Sequence, residues 1–253
     1  MWYSKYMGSF PRQGEGMELK TLNDTIDSWK EVNLIYNAAL RQVQTKMEIL
    51  NEEFQHVHQY NPIEHIKARI KTPESIVKKL RRHGLESTIE NMVNEINDIA
   101  GVRIICSFTS DIYRVADMIR NQKDIKVMAV KDYITYPKTS GYRSYHMIVT
   151  VPVYLSDRIV DTKVEIQIRT VAMDFWASLE HKIHYKFEGD APEHIRTELI
   201  ECARMVADLD SRMLMLNDEI TMISYEREVA KRMADEEKKR KKLEEKAQET
   251  EAE

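Results

Sequence analysis

Cysteine, glycine and proline are scarce in this sequence, with 2, 7 and 6 residues among 253. The two cysteines, Cys106 and Cys202, lie far apart and match no metal-ligand spacing. That argues against a disulfide framework or a cysteine-based zinc site and predicts reduced thiols. No Gly-x-Gly-x-x-Gly run and no Walker-type loop occurs, so a bound nucleotide is not held by a glycine cradle. Zincin and hydrolase-elbow motifs are also missing. No apolar run approaches the ~20 residues of a membrane helix, and the opening "MWYSKYMGSFPRQGEG" lacks the apolar core of a secretory signal. The formal net charge of -4 gives no global basic field for nucleic acid. These absences predict a cytoplasmic protein, without membrane association, in which any anion site is a local cluster of Lys and Arg.

What is present is 42% hydrophobic and 32% charged, which suggests a globular core beside long solvated helices. Residues 1–18, with Gly8, Pro11, Gly14 and Gly16, read as a flexible lead-in. From Leu19 to about Tyr60 apolar residues recur at helical spacing until Asn61-Pro62. The stretch "EHIKARIK" (64–71) alternates like a strand with a cationic face. Thr72-Pro73 opens a helix that Gly84 can end. Strands are predicted over 102–108, 125–134, 145–155 and 163–170, with a helix over 111–121. Helices follow over about 171–186 and 192–230, the latter one long helix or a pair. From Glu226 onward the chain is nearly all Lys, Arg, Glu and Ala, a charged helical or disordered tail. The fold class is therefore α+β, a mixed β-sheet flanked by helices with long C-terminal helices. The division is a lead-in at 1–18, a domain at 19–224 and a tail at 225–253.

Three groups of residues could carry chemistry. Asp98 precedes an apolar strand, and Glu165, Gln167 and Arg169 share one face of another. Charges on such a face are costly unless they meet water or a ligand. Carboxylates on neighbouring strands suit Mg²⁺ and its nucleotide phosphates; edge solvation and a helix-end role are the plain alternatives. Lys67, Arg69 and Lys71, then Ser75, Lys78, Lys79, Arg81 and Arg82, form a cationic set. Lys131, Lys138 and Arg143 make a second one. Such groups bind phosphate, and arginine also stacks on bases; for Arg81 and Arg82 a solvated helix surface is the better reading. "GYRSYH" (141–146) combines a turn glycine with Tyr142, whose ring can meet a base, and His146, which can donate to phosphate. Two half-buried tyrosines and a satisfied histidine are the alternative. His181 and His184 stand three apart without a companion ligand, which favours a structural use.

Five segments in order resemble the RelA/SpoT-type (p)ppGpp synthetase family, and within it the small single-domain alarmone synthetases. They are "HIKARIKTPESIVKKL", "NDIAGVRIICSF", "VKDYITYPKTSGYRSYHMIV", "VEIQIRTVAMDFWASLEHKIHYK" and the helical end to about residue 224. The resemblance covers about residues 20–224 and implies a nucleotidyltransferase-like fold. It also implies transfer of the β,γ-pyrophosphoryl group of ATP to the 3′-hydroxyl of GDP or GTP, giving ppGpp or pppGpp and AMP. Synthesis without hydrolysis is expected, because nothing here resembles the histidine-rich hydrolase domain of long family members.

The resemblance further implies residue roles. Asp98 and Glu165 would bind Mg²⁺, and Glu165 would complete the metal site or take the hydroxyl proton. Arg69 and Arg103 would sandwich adenine, while Lys71, Ser75 and Lys79 hold the ATP phosphates. Tyr142 would stack on guanine. Lys131, Lys138 and His146 would contact acceptor phosphates or the transferred group. Gln167 and Asp174 would fix the acceptor nucleoside; many members carry asparagine where Asp174 stands. Small members form homotetramers, and some bind single-stranded RNA or allosteric (p)ppGpp, so these are the partner classes implied. Two other functions fit the same residues: a catalytically silent RNA-binding or regulatory module, and a different nucleotidyltransferase.

Overall fold

The computed structural model describes residues 19–186 and 192–251, so the expected lead-in at 1–18 lies outside the described residues. The chain opens with helix α1 (Leu19–His58), followed by strand β1 (Ile63–Ile70) and helix α2 (Pro73–Arg82). Helix α3 (Ile89–Glu95), strand β2 (Ala100–Cys106) and helix α4 (Thr109–Arg120) come next. Strands β3 (Lys126–Asp132), β4 (Tyr145–Tyr154) and β5 (Ile159–Thr170) then lead into helix α5 (Val171–Lys186) and helix α6 (Glu193–Glu251). The five strands form one sheet in the order β1-β2-β5-β4-β3. β2 and β5 run parallel at its centre, and every other pairing is antiparallel. The fold is α+β with a mixed sheet and a long C-terminal helix.

Strand alternation creates two unlike faces. On one, register brings Ala68, Val102, Ile166 and Met147 into one cross-strand row, and Ile70, Ala100, Val164 and Val149 into another. Ile104, Met147, Val149, Val164, Ile166 and Ile168 have no exposed surface. Helices α1 and α4 supply the other half of this core through Ala39, Val43 and Met47 and through Ile112, Val115 and Ile119. Each buried valine, isoleucine or methionine side chain among these contributes about 1.5–3 kcal/mol by leaving water. On the other face the same register aligns Lys67, Arg103, Gln167, His146 and Lys131, one residue from each strand.

Local signals set the borders. The Thr72 side chain accepts the Ser75 backbone N–H at 3.4 Å and Pro73 occupies the first turn of α2. Gly84, with φ +73°, follows the α2 terminus in the left-handed conformation. α3 was not anticipated from sequence; it is only seven residues, too short for a periodic signal, and Thr88 caps it by accepting the Asn91 N–H. β5 begins at Ile159, earlier than alternation suggests, because a tight turn (Leu155 N–H to Arg158 C=O, 2.8 Å) pairs 159–162 with the end of β4. α6 runs unbroken from 193 to 251, with no glycine or proline inside it to divide it into a pair. Its side chains from 226 to 240 are all exposed.

The loop from Tyr133 to Ser144 is held against the start of α6. Gly141 has φ +86°, and a β-carbon there would lie 2.6 Å from the β-carbon of Ala203. Nearby, Trp176 donates its indole N–H to the Leu199 carbonyl, and Tyr142 packs with Trp176, Ala177 and Ala203. Gly141→Ala combines backbone strain with a steric clash and should cost about 1–3 kcal/mol. Thermal unfolding monitored by circular dichroism would register this as a midpoint lowered by several degrees; an unchanged midpoint would contradict the tight packing.

Candidate active site

Two helices bring charged side chains to the polar sheet face: α2 brings Lys79 to Asp98, and α5 brings Asp174 to Arg103 and Arg169. Asp98 stands just before β2, and Lys71 follows the end of β1, tied in by a 2.8 Å backbone bond to Ile99. α2 brings Lys79 to the same point. The Lys71 ammonium lies 2.7 Å from one Asp98 oxygen and Lys79 lies 2.9 Å from the other. Burial by itself would raise the Asp98 pKa, but hydrogen bonds and charge from both lysines outweigh it and hold the carboxyl below its ordinary value. These lysines converge where a phosphate chain could replace the carboxylate as their partner. Ser75, exposed on the first turn of α2, accepts from the Thr72 hydroxyl at 3.0 Å.

Gly101 on β2 pairs with Glu165 on β5, so Glu165 sits one strand from the segment carrying Asp98. Burial pushes the Glu165 pKa up, but the His146 hydrogen bond and charge and a Gln167 hydrogen bond overcome it, and the net value falls below the ordinary one. The Asp98 charge acts in the opposite direction, which shows that the two carboxylates sense one another. Glu165 Oε1 lies 3.4 Å from His146 Nδ1, and Gln167 donates to Oε2 at 2.7 Å. Among the described residues no cluster of three or more His, Cys, Asp or Glu side chains forms a ready-made metal cage. A pair of carboxylate oxygen donors beside lysine ammonium groups nevertheless has the donor chemistry that suits Mg²⁺, which is usually held by one or two carboxylates with phosphate and water completing its shell.

The other predicted residues separate into engaged and open groups. Arg103 donates to Asp174 at 3.0 Å, and Asp174 also meets Arg169 at 3.3 Å and Lys67 at 3.8 Å. Asp174 thus enters from α5 as the common anion for three cations of the sheet face. Arg69 faces solvent beside Gly101, with no ion pair among the described residues. Tyr142 hydrogen-bonds His146 Nε2 at 2.8 Å, and Tyr133, Tyr142 and His146 meet edge to face. The Lys138 ammonium lies 4.9 Å from the Tyr142 ring centre and 4.8 Å from that of Tyr133, a cation–π arrangement. Lys131 is exposed opposite His146 across β3 and β4. His181 is exposed on α5, and the side chain of His184 lies outside the described residues.

Sequence reasoning gave no role to Arg169 and did not name Tyr133. Arg169 was legible only as the third polar residue of an alternating strand; its buried hub position depends on α5 and the 133–144 loop closing over it.

The chain matches the region found in RelA/SpoT proteins over residues 68–190. It is 49% identical over 203 residues to GTP pyrophosphokinase YwaC of Bacillus subtilis, covering 80% of this chain and 95% of that protein. The crystal structure of small alarmone synthetase 2 from Bacillus subtilis superposes with a TM-score of 0.70 at 49% identity, covering 76% of this chain and 98% of the other. Small alarmone synthetase 1 from the same organism, bound to its product pppGpp, gives a TM-score of 0.71 at 34% identity, again covering 76% and 98%.

The Asp98 pairing has a consequence for acid stability. Because its folded-state pKa is depressed, the stability it lends is complete above the unfolded value near ~4 and is lost as pH falls through the lower folded value. Asp98→Asn should therefore lower the urea midpoint at pH 7, and the gap from the unsubstituted protein should narrow as pH drops below about 4. A gap independent of pH would show that the lysine pairing contributes nothing.

Proposed function

Since this chain belongs to the RelA/SpoT family of GTP pyrophosphokinases, we propose that its polar sheet face transfers the pyrophosphoryl group of ATP to the 3′-hydroxyl of GDP or GTP. The product is ppGpp or pppGpp, and AMP leaves. The observation that carries this reading is the placement of Glu165 between a cation-rich phosphate side and an aromatic acceptor side of one face.

On the ATP side, Arg69 and Arg103 project from neighbouring strands and would hold adenine between their guanidinium planes. Lys71 and Lys79 would pass from Asp98 to the phosphates, and Ser75 would add a hydroxyl donor from α2. On the acceptor side, guanine would stack on Tyr142 in place of Lys138. Lys138 and Lys131 would then serve the acceptor phosphates. Gln167 and Asp174 would fix the acceptor nucleoside, and His146 would donate toward the transferred group. Asp98 and Glu165 would hold Mg²⁺, which when bound neutralises charge on the pyrophosphoryl group.

In the transfer, the acceptor 3′-oxygen forms a bond to the β-phosphorus as the bond from that phosphorus to the α–β bridging oxygen breaks. The hydroxyl proton passes to Glu165, and the bridging oxygen departs with AMP. Glu165 offers the carboxylate oxygen that takes this proton. Lysine ammonium groups balance charge on the moving phosphoryls, and holding both nucleotides removes the entropy of encounter, worth up to ~7–11 kcal/mol in well-oriented systems.

The unpaired cysteines accord with a cytoplasmic setting. Leu209, Leu216 and Ile220 leave apolar surface along α6 that supports a homotetramer. Single-stranded RNA and allosteric (p)ppGpp are further ligand classes of this reading, and no residue described above is assigned to them.

Incubation with ATP labelled at the β-phosphate, GDP and Mg²⁺ should yield labelled ppGpp together with AMP. Release of pyrophosphate with a nucleotidylated product would instead identify a different nucleotidyltransferase. Glu165→Gln should keep the fold and reduce kcat by about 10²–10⁴-fold, the range for removing a general base; turnover near that of the unsubstituted enzyme would exclude Glu165 from the chemistry.

A further inference from the structure

The Arg169 side chain is 5% exposed, and all three guanidinium nitrogens are engaged. Nε donates to the Ser144 hydroxyl at 3.3 Å, and one terminal nitrogen donates to Asp174 at 3.3 Å. The other terminal nitrogen donates twice, to the Tyr142 hydroxyl oxygen at 2.5 Å and to the Gln167 side-chain carbonyl at 2.8 Å. Burying a guanidinium is expensive unless its donors are met, and here four side chains from β5, α5 and the loop before β4 meet them. None of these contacts closes the apolar core, which lies on the other face of the sheet.

The direction of the bonds gives the arrangement its meaning. Guanidinium only donates, and ionised carboxylate only accepts. With its oxygen taken by Arg169, the Tyr142 hydroxyl is free to donate to His146 Nε2, and the other ring nitrogen of His146, Nδ1, lies 3.4 Å from Glu165. With its carbonyl taken by Arg169, the Gln167 amide must turn its NH₂ to Glu165. Two arms therefore run from Arg169 toward Glu165: one is hydrogen-bonded throughout, through Gln167, and the other passes through Tyr142 to His146, whose Nδ1 stands 3.4 Å from the carboxylate.

We propose that Arg169 is a positioning residue that orients Tyr142 and Gln167 for the acceptor nucleotide, acting through the fork geometry of its guanidinium. The inference rests on the reading of Tyr142 and Gln167 as acceptor-side residues. Lysine retains the charge but concentrates its donors on one nitrogen, so it cannot span the Tyr142 hydroxyl, the Gln167 carbonyl, Asp174 and the Ser144 hydroxyl at once.

The test is calorimetric titration of the full chain with GDP and, separately, with the ATP analogue AMPCPP and Mg²⁺. Arg169→Lys should weaken GDP binding about 10-fold and leave AMPCPP within about 2-fold, because the charged hydrogen bonds lost are those to Tyr142 and Gln167 on the acceptor side. Steady-state kinetics should show the same split, with KM raised for GDP and not for ATP. Tyr142→Phe keeps the ring and deletes the hydroxyl that Arg169 holds. It should weaken GDP in the same direction and tests the link even where Arg169→Lys fails to fold. In the double variant the losses should be less than additive.

Equal weakening of GDP and AMPCPP, additive losses, or GDP affinity within about 2-fold in Tyr142→Phe and in folded Arg169→Lys would each overturn the proposal. An unsubstituted protein that binds GDP but makes no labelled product would overturn the transfer reading alone, leaving the Arg169 comparison intact. One that binds no GDP would overturn both.

Discussion

The parallel pairing of β2 with β5 is the constraint on which the rest depends. It sets Gly101 beside Glu165 and Arg103 beside Gln167, and each pair shares a face. A slip of one residue would exchange faces for a whole strand and drive Glu165, Gln167 and Arg169 into the isoleucine and valine layer. That layer fixes the register. Val102, Ile104, Ile166 and Ile168 are buried against α1 and α4, and their removal from water far outweighs any polar contact opposite. The apolar face thus pays for the order of the polar face.

The polar face is an electrostatic compromise without substrate. Asp98 is shared by Lys71 and Lys79, and Asp174 by Arg103, Arg169 and Lys67. Two carboxylates therefore hold five cations that would otherwise repel one another. A nucleotide polyphosphate brings the same sign of charge as these carboxylates. In the proposed reaction it would take over their partners without creating an unpaired ammonium. Ring faces follow a parallel logic, since Lys138 rests on Tyr133 and Tyr142 in the place that the proposed guanine would take.

Much of this was legible in the sequence, for identifiable reasons. Alternation in "VEIQIRT" placed Glu165 and Gln167 on one face because strand geometry has a period of two, whatever surrounds it. Thr72-Pro73 announced α2, since capping is a local hydrogen-bonding matter. Asp98, Lys71 and Lys79 were each marked as candidates, but their meeting was not readable, because it joins a strand end, a helix and a loop from separate parts of the chain. α3 escaped notice for want of length, and the early start of β5 depends on its partner strand.

The sequence by itself determined the alternation of apolar and polar residues, the helix borders and the chemical inventory of the site, because these follow from backbone periodicity and from side chains acting on near neighbours. Tertiary structure alone decided which charges pair, that Arg169 becomes a buried hub, and that Gly141 must lack a side chain where α6 presses on its loop. Those outcomes are set by strand order and by helices arriving from distant positions. Contact energies between such segments exist only after the sheet has closed.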